Sequence, residues 1–469
     1  MTLHGALWCA ALALLVAQPA AVMVLDGVSP MGFNSFDSYP NTALNDTSVP
    51  VLASAMAQQL LPAGYDYFVI DGGWTTSEVT LGNGTTEKKQ NLDQYGRPVA
   101  APERYADMKK LANTIHALGL KFGLWTIRGA HVDAVAQRLP IKGTKYTIDQ
   151  IIDQHSKSGA GMNATPGTGG ANMSCLWAAE WLGVNTSHPA AQAYYDSRVE
   201  LLESYGVDLI KADCMMCQPC YTKEIEMFSA AVKKVKRPLV LSYSPGGGNS
   251  AENGSWVAGG QLATMYRIVT DFHGGWSPLQ QNIFAAGNFT MAAAGNLFGL
   301  NATFGDLDML PMREDWWTGG EGSPKYDLGQ TIASLYMMAR APLMHAGRLP
   351  VDATTLNFLT NKRALALHKA AFKRDVRYAG NCTCVLDHHH YNPALIVPGT
   401  CKIPAGSGGP PCVVSWSAGT AHHMQINMGE NETSVQVHSG AVDIWTGRQM
   451  AATEALRPHA SLLYSTPSF

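Results

Sequence analysis

The sequence predicts an α/β protein: a (β/α)8 TIM barrel followed by a C-terminal antiparallel β-sandwich domain. Three observations predict it. Between Ser29 and Lys369, about eight short apolar segments alternate with stretches of helical spacing. Each short segment is apolar throughout, as parallel strands covered by helices are, and this count and length favour a closed barrel over an open sheet. From about Tyr378 the texture changes to brief strand candidates punctuated by Gly, Pro and Asn, the pattern of a sandwich. The expected organisation is a signal peptide over 1–21, the barrel over 22–376 and the β domain over 377–469.

The elements follow in order. Ser29 to Phe36 reads as the first strand and Val49 to Leu61 as a helix ended by Pro62-Ala63-Gly64. Tyr65 to Asp71 is a second strand, stopping at Gly72-Gly73-Trp74, and a polar loop runs to about Pro102. Helix Met108 to Leu118 closes at Gly119 before strand Leu120 to Thr126. Residues 130 to 187 are too long for a simple connector, so a functional excursion is expected there. Helix Ala190 to Tyr205 leads through Gly206 into strand Val207 to Asp213, then helix Thr222 to Val235 and strand Pro238 to Tyr243. Strand Thr264 to Thr270, helix Pro278 to Ala294, the segment Asp306 to Leu310, helix Leu328 to Arg340, strand Pro342 to Ala346 and helix Ala353 to Lys369 complete the barrel. Strands of the β domain are expected at 385–386, 394–397, 413–416, 423–427, 434–438, 441–445 and 461–464.

Hydrophobic residues at 46% and charged residues at 15% of 469 describe a globular chain. A net charge of −3 offers no field for nucleic acid or anionic lipid, so neither is an expected partner. The run from Ala6 to Ala17, followed by Gln18-Pro19-Ala20-Ala21, is too short to span a bilayer and ends in small residues, as a cleaved signal does. Its n-region has His4 but no Lys or Arg. Ten Asn-X-Ser/Thr acceptor triplets, at Asn45, Asn83, Asn163, Asn172, Asn185, Asn253, Asn288, Asn301, Asn381 and Asn431, fit exposed loops of a secreted glycoprotein. Losing Cys9 with the signal leaves eight of the nine cysteines, an even number suited to an oxidising compartment. An extracellular destination is expected, and vacuolar or lysosomal ones are not separated from it.

Active sites of such barrels lie at the C-terminal ends of the strands. The residues at those ends are Asp71, Lys211, Asp213, Arg267 with Asp271, and Asp308. Strand alternation puts Lys211 and Asp213 on one face. No metal spacing and no glycine-rich phosphate loop accompanies these acids, so neither metal nor cofactor is expected. Two carboxylates facing each other across a pocket are the minimum equipment for glycoside hydrolysis.

Six blocks then resemble glycoside hydrolase family 27, the melibiases. They are Met31 to Phe36, Gly64 to Asp71, Leu120 to Leu124, Gly206 to Cys214, Tyr266-Arg267 with Asp271, and Asp306 to Leu310. They fall in family order over roughly 29 to 375, and several look closest to plant-type members described as β-L-arabinopyranosidases with α-galactosidase activity. The resemblance implies a retaining double displacement on a terminal α-D-galactosyl residue, with Asp213 as nucleophile and Asp271 as acid/base. It further implies sugar binding by Asp71, Lys211, Arg267 and Asp308, an aromatic platform at Phe33 and Phe36, and Trp125 in place of the usual Tyr. Lys211 is expected to favour the ionised Asp213. Cys175 is expected to pair with Cys214.

The chain departs from the family in the part of the pocket that reads hydroxyls and the C6 substituent. The usual Asp-Asp-X-Trp is Asp71-Gly72-Gly73-Trp74, and Ser244-Pro245-Gly246 replaces a segment that is often more polar. β-L-arabinopyranose, which is α-D-galactopyranose without its CH2OH, is therefore the alternative sugar. A catalytically silent carbohydrate-binding barrel is the reading from another class, against which both Asp213 and Asp271 argue. Cys217 and Cys220 are expected to be disulfide partners rather than metal ligands, while the pairing of Cys382, Cys384, Cys401 and Cys412 stays open. His388 to His390 reads as a solvated turn, Met337-Met338 as core, and Trp316-Trp317 as either core or a sugar-stacking rim.

Overall fold

A computed structural model describes residues 28–39, 41–153, 174–175, 177–215, 222–244, 262–269, 271–292, 304–312, 324–370, 376–380, 413–418, 421–429 and 431–466. Eight parallel strands form one sheet: β1 Met31–Asn34, β2 Tyr67–Ile70, β3 Lys121–Ile127, β4 Leu209–Asp213, β5 Val240–Tyr243, β6 Met265–Arg267, β7 Phe304–Asp306 and β8 Leu343–His345. The sheet runs β7-β6-β5-β4-β3-β2-β1-β8. It closes through a parallel bridge between Leu310 and His345, with Leu310 N–H donating to Met344 O at 2.8 Å and Ala346 N–H to Leu310 O at 2.8 Å. The barrel expectation holds.

Apart from β3, which keeps its seven residues one position later, each strand is shorter than the run read for it, because the flanking residues enter the turns. Alternation divides the strand residues between two cores. Tyr67, Val69, Leu209, Val240, Met265, Phe304 and Met344 fill the barrel interior, whereas Phe68, Ile70, Phe122, Leu124 and Ile210 pack outward against helices. Lys211 and Asp213 continue the inward series begun by Leu209. At Gly32 a Cβ would sit 2.2 Å from Tyr67 O, so a residue without a side chain lets β1 and β2 approach.

The helices are α1 Ser48–Gln59, α2 Met108–Ala117, α3 Ala191–Tyr205, α4 Thr222–Val232, α5 Trp276–Ala292, α6 Pro324–Ala339, α7 Ala353–Thr360 and α8 Lys362–Lys369. Asp107 caps α2 by accepting from Lys110 N–H, and Gly206 ends α3 at φ +88°. Met337 and Met338 are core, as expected. Two expectations are corrected. The helix read over 353–369 is two helices, because Asn361 leaves helical geometry and its side chain caps α8 by accepting from Arg363 and Ala364 N–H. The polar loop after Asp71 contains an antiparallel hairpin, Thr76–Thr80 with Thr86–Gln90.

The C-terminal part is antiparallel. β9 Val376–Gly380, β10 Val413–Ala418, β11 His422–Asn427, β12 Thr433–Gln436, β13 Val442–Asp443, β14 Thr453–Leu456 and β15 Ser461–Ser465 form a sheet ordered β9-β10-β11-β15-β13 and a pair β12-β14. The strands β9 and β14 were not among those expected. The β domain locks onto the barrel through Trp445 Nε1–H to Ser334 Oγ (2.9 Å) and Arg363 Nε–H to Ile444 O (2.8 Å). Among the described residues no helix is long and apolar enough to cross a membrane. The signal segment, Cys217, Cys220, the four β-domain cysteines, His388 to His390, Trp316-Trp317, the strands expected at 385–386 and 394–397, and the triplets at Asn163, Asn172, Asn253, Asn301 and Asn381 lie outside the described residues. Asn83 and Asn431 are exposed, Asn45 and Asn185 half-buried, and Asn288 falls within α5 rather than in a loop.

Candidate active site

The C-terminal ends of β1 to β4 and β6, with the segments that follow them, surround one cavity of about 330 Å³. Asp71, Trp125, Lys211, Asp213, Arg267, Asp271 and Phe36 all line it. Seven of the eight catalytic and substrate-binding residues expected from the sequence therefore meet in one space.

Asp213 ends β4 half-buried, with both carboxylate oxygens engaged. Oδ2 accepts from Trp125 Nε1–H at 3.1 Å and Oδ1 from Cys214 N–H at 2.7 Å. Cys214 takes φ +55°, which turns its amide back onto the preceding carboxylate. The expected disulfide between Cys175 and Cys214 is present, with Cα atoms 6.0 Å apart. It ties the loop of Trp177 and Trp181 to the end of β4. Burial pushes the Asp213 carboxyl above the usual carboxylate range, against the pull of Lys211, Arg267 and the hydrogen bonds from Trp125 and Cys214.

Lys211 acts on Asp213 in the expected direction, but burial outweighs it and its direct contact is elsewhere. Nζ donates to Asp71 Oδ2 at 2.7 Å and lies 5.6 Å from the Phe36 ring centroid. Burial alone would lower the Lys211 ammonium; Asp71, Asp213 and Asp308 reverse that, so it stays charged. Asp71 also accepts from Asn34 Nδ2 at 2.7 Å, and Ser35 Oγ accepts its backbone N–H at 2.9 Å.

Across the cavity, Arg267 Nη2 meets Asp271 Oδ1 at 2.5 Å and Nη1 meets Asp308 Oδ1 at 3.2 Å. Asp308 departs from the expected substrate contact. It does not line the catalytic cavity but lies beneath it, at φ +74°, where its other oxygen accepts from Phe272 N–H at 2.7 Å. The carboxylate is spent on aligning Arg267 and the backbone next to Asp271. Asp306 sits beside it and accepts from Asp308 N–H at 2.9 Å, and burial followed by the Asp308 charge pushes its carboxyl up to about 7.

The comparisons with known proteins agree with this geometry. No family model matches the chain. A probable α-galactosidase from Dictyostelium discoideum is 23% identical over 342 residues, 72% of this chain and 67% of that protein. A family GH27 β-L-arabinopyranosidase from Geobacillus stearothermophilus is 26% identical with a TM-score of 0.72, covering 94% of this chain and 97% of that one. A variant of that enzyme in complex with arabinose gives a TM-score of 0.73 at 26% identity, covering 95% and 98%. The chain is a glycoside hydrolase, similar in sequence and fold to enzymes of family 27.

In this hydrolase several residues of the site escaped the sequence reading. Asn34 and Ser35 hold Asp71, though both fell inside a recognised block. Asp37, with its side chain almost fully buried, meets His273 Nδ1 at 2.9 Å, and the His273 ring stacks on Phe36. The hydrogen bond from Asp37 raises the His273 imidazole, burial opposing it. Arg128 and Glu224, both fully buried, pair at 2.8 Å. Arg128 N–H donates to Asp213 O at 3.0 Å and Nε–H to Cys214 O at 2.9 Å. A fully buried Arg is rare unless paired, but no local pattern announces one.

Proposed function

We propose that the protein is a secreted, retaining exo-glycosidase that releases terminal α-D-galactosyl residues by double displacement. The observation that carries the reading is that Asp213 and Asp271 line one cavity with contrasting environments. Asp213 is half-buried and fixed by two donors, whereas Asp271 is 42% exposed. In the first step an Asp213 oxygen attacks the anomeric carbon while the glycosidic C–O bond breaks. Asp271 gives its proton to the departing oxygen. In the second step Asp271 takes a proton from water, the water oxygen attacks the anomeric carbon, and the ester to Asp213 breaks. Forming that ester neutralises a carboxylate that burial disfavours as an anion. Asp71, Lys211 and Arg267 supply fixed acceptors and donors for the ring hydroxyls. The leader over 1–21, the acceptor triplets and the even cysteine count support secretion.

A second reading, β-L-arabinopyranosyl hydrolysis, is favoured by Gly72. A Cβ there would meet only the Trp125 ring at 3.9 Å and Asn41 Oδ1 at 4.0 Å, so the backbone has room for a Cβ at the position where the family usually carries its second acid. A site that lacks a hydroxyl-reading group discriminates weakly for that hydroxyl. The test compares kcat/KM for aryl α-D-galactoside, β-L-arabinopyranoside and α-N-acetylgalactosaminide. A preference for the galactoside supports the first reading, and a preference for the pentoside selects the second. If Asp213→Asn retains turnover of the preferred substrate, the nucleophile assignment is wrong.

A further inference from the structure

Asp271 stands in a short segment between the end of β6 and Trp276, the first residue of α5. Contacts from two sides hold that segment. On one side, Arg267 Nη2 meets Asp271 Oδ1 and Phe272 N–H donates to Asp308 Oδ2. Both contacts lead into the Arg267–Asp308 pair, which lies on β6 itself and just beyond its neighbour β7. On the other side, His273 Nδ1 meets Asp37 Oδ1 at 2.9 Å, and Asp37 belongs to the segment after β1. Two strands, β8 and β7, stand between β1 and β6 in the closed sheet, so this contact joins segments that are not neighbours around the barrel. Beyond His273 the chain turns through Gly274 at φ +108° and Gly275 at φ +96°, which have no side chain to anchor it.

Stability alone is a poor reason for this pair. The Asp37 side chain is 2% exposed and the His273 ring 50% exposed, so a carboxylate leaves water to meet a cation that stays half in it. Taking a carboxylate out of water is costly, and such groups beside a cleft mark functional sites. Burial raises the Asp37 carboxyl, and the hydrogen bond from His273 opposes that rise. His273 faces the carboxylates of Asp37, Asp308 and Asp271, each of which favours its charged form. Asp37 in turn faces His273 and Lys211 as cations and Asp308 as a like charge. The His273 ring also stacks on Phe36 with centroids 5.8 Å apart, and both side chains line the catalytic cavity. An imidazole that is paired, stacked and charged has little freedom.

We propose that Asp37 and His273 form a brace that positions the acid/base: Asp37 fixes His273, and His273 fixes the 271–273 segment so that the Asp271 carboxyl stays within reach of the departing oxygen. The inference rests on the glycosidase reading above. His273 acts through Asp271 and needs no contact with the sugar. Proton donation demands hydrogen-bond reach, and a misplacement of about 1 Å can cost about a hundredfold. Asp213 is held separately, by Trp125 Nε1–H and Cys214 N–H. The brace therefore serves proton donation and leaves nucleophilic attack alone.

The test uses full-length His273→Ala, His273→Gln and Asp37→Ala with two substrates of one glycone. One is a methyl glycoside, whose leaving group must be protonated; the other is a dinitrophenyl glycoside, whose leaving group need not be. The glycone is whichever of the three compared above the unaltered enzyme cleaves. The ratio of kcat/KM, methyl over dinitrophenyl, is expected to fall about tenfold in His273→Ala and in Asp37→Ala. His273→Gln keeps an N–H donor for Asp37 and is expected to recover most of the ratio. Turnover of the dinitrophenyl glycoside also reports a folded enzyme. An unchanged ratio in His273→Ala, whether both substrates are retained or both fall together, overturns the brace and leaves the glycosidase reading standing. An unaltered enzyme that cleaves none of the glycones overturns that reading, and the brace with it.

Discussion

Replacing Glu224 with alanine tests how the Asp213 end of β4 is held. The Glu224 carboxylate is fully buried and accepts from Arg128 Nη1–H at 2.8 Å, from Val184 N–H at 3.3 Å and from the Tyr195 hydroxyl. Glu224→Ala leaves the Arg128 guanidinium, also without exposure, facing the space the carboxylate occupied. Removing one partner of a buried pair costs about 3–5 kcal/mol, most of it the uncompensated charge. For a chain of 469 residues that corresponds to a fall in Tm of about 3–5 °C. Because the same guanidinium donates from Nε to Cys214 O, the end of β4 should loosen, and kcat should fall more than KM rises. Urea unfolding followed by tryptophan fluorescence gives the stability, and steady-state kinetics below the transition gives kcat. The double variant Glu224→Leu with Arg128→Met removes both charges and should recover most of the stability but not the kcat, since the Nε donor to Cys214 O is lost while the backbone bond to Asp213 O stays. A loss below about 1 kcal/mol for Glu224→Ala, the range of an exposed ion pair, would refute the reasoning.

Three further outcomes are expected. Lys211 lowers the Asp213 carboxyl, so Lys211→Met should move the acid limb of kcat/KM to higher pH; an unmoved limb means Asp213 does not govern it. Asp271→Ala should lose about 10²–10⁴ in kcat/KM on a substrate with a poor leaving group, far less on one whose leaving group needs no proton, and regain rate with azide as an external nucleophile. His345 and His368 are buried, and burial lowers each to about 4. The unfolded chain then binds protons that the native state refuses, so their stabilisation is present above the unfolded value near 6.5 and is lost as pH falls toward 4, about 3 kcal/mol for each. Urea unfolding at pH 7, 5.5 and 4.5 should show that loss, reduced in His368→Gln; an identical pH slope in the variant counts against it.

Much of the fold was legible because the backbone period is written locally. Eight apolar runs became eight barrel strands, and alternation along β4 put Lys211 and Asp213 on the inward face that Leu209 shares. What was missed lacks a local signal. The hairpin over 76–90 buries no apolar face, so its sequence reads as loop. Helical spacing continues through Asn361, and only the side chain's choice to cap α8 breaks the helix there. Asp308 stands at a strand end, where a substrate contact is the natural expectation, yet its φ of +74° turns the carboxylate under Arg267.

The sequence by itself determined the architecture, the two catalytic candidates and the rim they share, because each follows from spacing along one strand or from the order of the strands. The tertiary structure decided which charges pair. Lys211 was read as the helper of Asp213 two residues away, but it donates to Asp71, 140 residues earlier in the chain. Arg128 finds Glu224 across 96 residues and Asp37 finds His273 across 236. The physical reason is that periodicity depends only on the chain's own geometry. The energy of a charge pair depends on separation and burial, and both are set only when the barrel closes.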